Sequence, residues 1–250
     1  MRTFLILLRK ELKGYFQNPF GWVIIACVTA ATGFGISTAM KGFLDTPSQY
    51  SLLYVAFHSL VFWFGFLFLF PLITMRSFAE EERSGTLETL LTAPVRTWQV
   101  VLAKYGAAYL FYLIAWTPTL LQFKVIGWIA DYPEAWSPGE VMCTYGILAL
   151  MGMAFTAIGC LASALTSSQI IAGLLGLLFL MVVFLLGYIP VIWSGSFRGA
   201  ELFHYISAQE HLSFFARGWV DTRPLVWYPT LAFGVLFLTY QVVDYRRWKR

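Results

Sequence analysis

Charge is what this sequence has least of. Only 12% of its 250 residues are Asp, Glu, Lys or Arg, about half the share of an average soluble domain. Hydrophobic residues make up 59% and aromatic residues 18%, and the mean hydropathy is +0.69. That balance excludes an ordinary water-soluble globule and implies an integral membrane protein. Cysteine is scarce as well, and Cys27, Cys143 and Cys160 all fall inside apolar runs. Thiols in that arrangement make neither a disulfide framework nor a zinc site, and they read as small packing groups. No G-x-x-x-x-G-K-[ST] stretch occurs, so the chain carries no phosphate-cradling loop of its own. Internal repeats, low-complexity tracts and paired Gly/Pro-broken spans are also missing. The first residues are not read as a cleavable signal, because the apolar core from Phe4 to Leu8 is short and a basic cluster interrupts it. The net charge of +4 calls for no nucleic-acid partner.

What the chain does have is long apolar runs. A hydrocarbon core about 30 Å thick takes roughly 20 helical residues to cross. Six segments suffice: 20–40, 52–75, 106–129, 141–165, 170–193 and 225–243. None shows the period-two alternation of a membrane barrel strand. The expected fold class is therefore an all-α integral membrane protein with six transmembrane helices, a single domain over 1–250. Before the first span, Leu5, Leu8, Leu12 and Tyr15 recur at helical spacing, with Arg2, Arg9 and Lys13 on another face. This predicts an amphipathic interfacial helix over 1–19 that ends at Asn18-Pro19.

Six spans put both termini on one side, together with the second and fourth loops. That side holds Arg2, Arg9, Lys10, Lys13, Arg76, Arg83, Arg96, Lys104, Arg246, Arg247, Lys249 and Arg250, twelve of the 17 basic residues. The other side holds Lys41, Lys124, Arg198, Arg217 and Arg223, which makes five. Acidic residues divide six against seven. The basic side is expected to be cytoplasmic, which suits a multi-pass protein of a bacterial inner membrane.

Ionisable groups inside the spans are nearly absent. His58 is the exception, and it reads as a packed or interface-facing histidine. Lys124 and Glu140 sit near outer ends, within reach of headgroups. Ion-coupled carriers hold their driving ion on buried carboxylates or histidines, and none is available here. Any uphill transport must draw its energy from another chain.

The most polar stretch, 76–105, is a predicted cytoplasmic loop. Ser84 or Gly85 can cap a short helix with Glu88 in its first turn, where negative charge suits the helix dipole. Leu87, Leu90 and Leu91 would form its apolar face, Pro94 would open the next helix, and Trp98 and Tyr105 would anchor the interface. So short a helix is unstable alone and needs a surface to pack on. The run Glu80-Glu81-Glu82-Arg83 would supply polar contacts around it.

The pattern Phe78-Ala79-Glu80-Glu81-Glu82-Arg83-Ser84-Gly85-Thr86-Leu87-Glu88-Thr89-Leu90-Leu91-Thr92-Ala93-Pro94 resembles the loop between the second and third spans of ABC-2 type transporter permeases. Ser207-Ala208-Gln209-Glu210-His211-Leu212-Ser213-Phe214-Phe215-Ala216-Arg217-Gly218, with Val220-Asp221-Thr222-Arg223 before a last span, is similar to their gliding-motility subgroup. The resemblance covers essentially the whole chain. It implies an exporter-like permease subunit, not itself an enzyme, in which the loop carries a coupling helix seated in a separate ATP-binding subunit. The implied contacts are Glu81, Glu82, Arg83, Gly85, Thr86, Leu87, Glu88 and Leu91, with Thr166, Ser167, Ser168 and Gln169 as a second contact. ATP and Mg would be held by that partner and not by this chain, and a second permease subunit, same or different, would complete the membrane part. A non-transporting scaffold or mechanical signalling subunit of an envelope complex is the alternative. A membrane enzyme is a poorer fit, since His58 with Ser59 makes weak catalytic material.

The outer segment 194–224 alternates apolar and polar groups and is expected to form short amphipathic helices. Glu201, His204, Glu210 and His211 are candidate gate residues there. Glu201 and His204 share a helix face, but no third ligand is fixed by spacing, so no metal is assigned. In the fourth span Gly152, Thr156, Gly159, Cys160 and Ser163 form a small-residue stripe suited to close packing within the subunit. The second span is crowded with Phe57, Phe62, Trp63, Phe64, Phe66, Phe68 and Phe70, either as core and lipid-facing filler or, with the fifth span, as a lining between two subunits. Pro71 is a candidate kink.

Overall fold

The computed structural model describes residues 2–45, 52–86, 95–129, 137–189 and 200–248. All regular elements among these residues are helices. They are α1 (Arg2–Gln17), α2 (Pro19–Asp45), α3 (Leu52–His58), α4 (Leu60–Thr74), α5 (Ala79–Arg83), α6 (Thr97–Ile129), α7 (Pro138–Ala164), α8 (Gln169–Leu186), α9 (Ala200–Ile206), α10 (Ala208–Ala216) and α11 (Thr222–Trp248). Among the described residues, six stretches are long and apolar enough to cross a membrane: Pro19–Gly42, Leu60–Arg83, Thr97–Trp128, Pro138–Ala164, Gln169–Leu186 and Thr222–Arg246. The all-α, six-span architecture expected from hydropathy is the one observed.

α1 ends where the sequence says it should. Pro19 opens α2, and the Asn18 side chain accepts a hydrogen bond from the Phe20 amide at 3.0 Å, which satisfies one of the free donors of a helix start. A Cβ at Gly21 would lie 2.1 Å from the Tyr15 carbonyl oxygen, so the corner between α1 and α2 needs glycine there. α1 packs chiefly along α6. Tyr15 stacks on Phe111 at 4.7 Å between ring centres, and its hydroxyl donates to the Ile73 carbonyl at 3.0 Å. Leu8 and Leu12 turn inward with it, whereas Leu5, Arg9 and Lys13 stay exposed.

The second segment differs from expectation. Residues 52–75 are not one helix: the chain breaks at Ser59, whose backbone is extended (φ −65°, ψ 145°) and whose hydroxyl accepts from the Phe62 amide at 3.2 Å. A serine hydroxyl competes with the backbone for helix bonds and favours a cap. The second crossing therefore starts at Leu60. Within α4 the aromatic residues divide. Phe62, Trp63, Phe66 and Phe70 are buried, and Phe64 and Phe68 face outward.

The fourth span is the centre of the bundle, with 78% of its apolar window buried, and the fifth is the most peripheral at 17%. Tyr105, Tyr109 and Tyr112 climb one face of α6, and their hydroxyls donate to the carbonyls of Met153, Ala149 and Leu148 at 3.1, 3.1 and 2.7 Å. Tyr105 is thus a bond between two spans and not the interface anchor expected from its position. The small-residue stripe lies opposite: Gly152, Thr156, Gly159, Cys160 and Ser163 are all buried. Gly152 abuts the Tyr112 ring and Gly159 abuts Thr74, so small residues set the spacing of the central helices.

Candidate functional site

The basic end of the bundle gathers charges from four segments distant in sequence. Lys104, on the first turns of α6, is only 3% exposed. Its ammonium meets Glu81 of α5 at 2.9 Å and Glu11 of α1 at 3.3 Å, and it lies 5.6 Å from the Phe78 ring centre. One residue further on, Glu82 pairs with Arg246 of α11 at 3.0 Å. Thr97 donates to Asp244 at 2.9 Å, closing the first turn of α6 onto the last turns of α11.

α5 is held from below as well. The Ser163 hydroxyl, at the end of α7, accepts from the Phe78 and Ala79 amides at 3.0 and 3.1 Å and donates to the Met75 carbonyl at 3.3 Å. A five-residue helix has no stability of its own. Here it exists because a buried hydroxyl satisfies its first donors and two carboxylates bind cations on other helices. Glu80, Glu81 and Glu82 in its first turn also suit the helix dipole.

The predicted contact residues therefore separate into two kinds. Glu81 and Glu82 spend their carboxylates on partners within the chain. Arg83, Gly85 and Thr86 are exposed at the tip, where Ser84 closes α5 and Gly85 takes the left-handed conformation, φ 70°. Leu87, Glu88 and Leu91 lie outside the described residues. The second predicted contact, Thr166, Ser167, Ser168 and Gln169, forms the turn between α7 and α8, with the Ser168 amide bonded to the Thr166 hydroxyl at 3.2 Å. α5 packs against α8, which brings the two predicted contacts to the same end of the bundle.

At the opposite end the gate candidates part company. The His204 ring is bonded to the Glu210 carboxylate. His211 turns the other way, 2% exposed, with Nδ1 3.1 Å from the Tyr228 hydroxyl. It is a packed core histidine. The side chain of Glu201 lies outside the described residues. Among the described residues no three metal-ligating side chains converge. His58, in α3, donates from Nδ1 to the Tyr54 carbonyl at 2.9 Å, and the Tyr54 ring stacks on His58 and also meets the Arg217 guanidinium, 4.9 Å from its centre.

Burial lowers the His211 pKa to about 4, with the Arg223 charge adding to the shift and Asp221 opposing it. The ring is thus neutral in the folded protein, while the unfolded chain binds a proton near pH 6.5. Stability from this group is complete above pH 6.5 and is lost as pH falls towards 4, by at most about 3 kcal/mol. The thermal midpoint in detergent is expected to fall between pH 7 and 5 in the native chain and to be nearly flat over that range in His211→Gln. Equal slopes in the two proteins would refute this.

At the basic end one loop element is tied at once to the third, fourth and sixth spans. Comparison with known sequences gives the chain a family. The sequence profile of the family described as ABC-2 family transporter protein matches residues 24–207. The chain belongs to the ABC-2 transporter family. A stretch of 119 residues is 32% identical to the probable multidrug ABC transporter permease YbhR of Escherichia coli (strain K12), and the same figures hold for the protein of that name in Escherichia coli O157:H7. The stretch covers 47% of this chain and 31% of those relatives, so the likeness spans under a third of their length. The protein is a multi-pass membrane protein of the ABC-2 transporter family.

Three members of the basic-end cluster carry no such role in the sequence pattern: Lys104 reads there as a flanking charge and Ser163 as one more small residue, and Glu11 has no assignment. The only signal in the sequence was that an otherwise charge-poor chain places Glu11, Glu81 and Lys104 on the same predicted side.

Proposed function

We propose that this ABC-2 permease is the membrane subunit of an ATP-driven exporter whose basic end is cytoplasmic and seats in a separate ATP-binding chain. The observation that carries the proposal is the pair of consecutive ties, Glu81 to Lys104 and Glu82 to Arg246. A force on the exposed tip at Arg83–Thr86 is passed without slack to the third and sixth spans, because ion pairs and a buried hydroxyl hold α5 to them. The absence of a phosphate-binding loop from this chain supports the assignment of ATP and Mg to the partner. Motion of the spans as rigid bodies then follows closure of the ATP-binding pair.

The same reading places both termini in the cytoplasm of a bacterial inner membrane and calls for a second permease subunit. The fifth span supports that part: Ile170, Leu174, Leu178, Val182 and Leu185 form an outward apolar stripe. Phe64 and Phe68 face outward from the second span. Such faces suit a subunit interface along which a hydrophobic or amphiphilic substrate passes, and the curated relatives carry multidrug in their names. The tail motif at 207–218 favours the gliding-motility subgroup.

In membranes holding the assembled complex, Arg83→Cys and Thr86→Cys are expected to crosslink to the ATP-binding chain, whereas Trp219→Cys, 66% exposed at the opposite end, is not. The double variant Glu81→Gln/Glu82→Gln is expected to keep that crosslink and lose about tenfold of the substrate-stimulated ATPase rate, since each charge-assisted bond is worth roughly 1.5–3 kcal/mol. Crosslinking from residue 219 but not 83 would invert the topology. Undiminished stimulation in the double variant would remove the lever.

A further inference from the structure

Two hollows meet between the first and second spans, and the polar one reaches the base of α5. The larger, about 250 Å³, is walled by Ile24, Val28 and Ala31 of α2 and by Gly65, Phe68 and Leu69 of α4, with Trp116 of α6 among its lining residues. Its surface is almost wholly apolar. The smaller, about 180 Å³, lies at the corner of α1 and α2 and is lined by Glu11, Asn18, Arg76, Ser77 and Glu80 among others. Phe20 and Leu72 belong to both. Together they make one groove, apolar within the span and polar at its basic end.

The polar half holds charges without a partner of their own. Arg76 lies over the Phe20 ring at 4.8 Å, and its Nε is buried with no hydrogen-bond acceptor. A buried guanidinium N–H without an acceptor is costly. Glu80 is exposed and makes no ion pair among the described residues. Glu11, by contrast, is already bound to Lys104, and the Asn18 oxygen to the Phe20 amide. Arg76 therefore lacks an acceptor at its buried Nε, and Glu80 offers an exposed carboxylate beside it, both at the foot of an apolar cleft.

We propose that this groove binds a membrane phospholipid whose headgroup carries a primary ammonium. One acyl chain fills the apolar cleft, the phosphate accepts hydrogen bonds from Arg76, and the ammonium donates to Glu80. Charge complementarity selects this occupant. A phospholipid with net negative charge and no amine satisfies Arg76 but leaves Glu80 facing an anion, with the Glu11 carboxylate on the same wall. A free phosphate leaves the cleft empty. A choline headgroup brings positive charge but has no N–H to give. Arg76 stands between α4 and α5, so a bound lipid also braces the base of the lever.

The test uses the full chain in detergent, titrated with dioleoyl phosphatidylethanolamine, phosphatidylglycerol or phosphatidylcholine and read by native mass spectrometry. The ethanolamine lipid is expected to bind about tenfold more tightly than either other lipid, the worth of one charge-assisted contact. Arg76→Gln is expected to weaken all three lipids about tenfold. Glu80→Gln is expected to abolish the preference for ethanolamine without weakening phosphatidylglycerol. Gly65→Leu is expected to lose all three: a Cβ at residue 65 meets only the Ala31 methyl at 4.0 Å, so the larger side chain fills the cleft without disturbing the fold, checked by unchanged elution on size exclusion. Equal or tighter binding of phosphatidylglycerol to the native chain, or native-like binding by Arg76→Gln and Gly65→Leu, would overturn the proposal. No ATP-binding partner is needed, so failure here leaves the docking reading intact.

Discussion

Replacing Lys104 with Met is expected to destabilise the protein by about 3 kcal/mol and to free α1 from the bundle. The Lys104 side chain is 2% exposed, and those of its partners Glu11 and Glu81 are 20% and 18% exposed. Removing the cation leaves two carboxylates close together without a counter-charge, and one Glu81 oxygen is already buried without a partner. Breaking a buried pair in this way costs about 3–5 kcal/mol, mostly as the penalty on the orphaned charges. The lower figure is taken because both glutamates keep some contact with water. Thermal unfolding in detergent measures the loss, and thiol labelling of Leu12→Cys reports the release of α1. The triple variant Lys104→Met/Glu11→Gln/Glu81→Gln separates the causes: it removes the charges altogether and is expected to recover most of the stability. If the single variant is as stable as the native chain, the triad is a surface decoration and the lever loses its joint.

Substituting Gly152 with Ala is expected to cost about 2–3 kcal/mol, as much as many larger changes elsewhere, because the spacing of the third and fourth spans rests on it. The added methyl would lie 2.0 Å from Cε1 and 2.5 Å from Cζ of Tyr112. That ring is fully buried, packs near Phe70 with 5.1 Å between centres, and is tied through its hydroxyl to Leu148 at 2.7 Å. It has nowhere to go, so the helices must move apart, and overpacking of this kind costs about 1–3 kcal/mol. All three close atoms belong to the Tyr112 ring. Tyr112→Ala destabilises by itself, through a cavity, but Gly152→Ala added to it is expected to cost almost nothing more. That non-additivity, read from thermal midpoints and from the monodisperse fraction on size exclusion, is the diagnostic. Full additivity of the two changes would show that residue 152 is not where the spans touch.

These two sites show where reading the chain succeeds and where it stops. Hydropathy and length gave six spans, because crossing a hydrocarbon layer demands a long run of apolar helix whatever the run packs against. The corner at Asn18-Pro19 was equally visible, since capping and proline geometry are local. The break at Ser59 was not. The apolar run continues straight through it, and a single hydroxyl bonded to the Phe62 amide changes no hydropathy average. Tyr105 is ambiguous in sequence for a related reason: an aromatic with a polar tip near a span end fits the interface and fits a bond to a neighbouring helix equally well. Only the partner carbonyl of Met153 decides between them.

The sequence alone determined the solvent this protein lives in, the number of its crossings and which segments share a side, because each follows from residues near one another along the chain. The tertiary structure decided which charges meet. Glu11, Glu81 and Lys104 form one cluster, Glu82 reaches Arg246, Arg76 is left facing a groove, and His211 lies in the core. Those outcomes depend on helices brought together from far apart in sequence, and no local pattern encodes the partner that a side chain meets across such a gap.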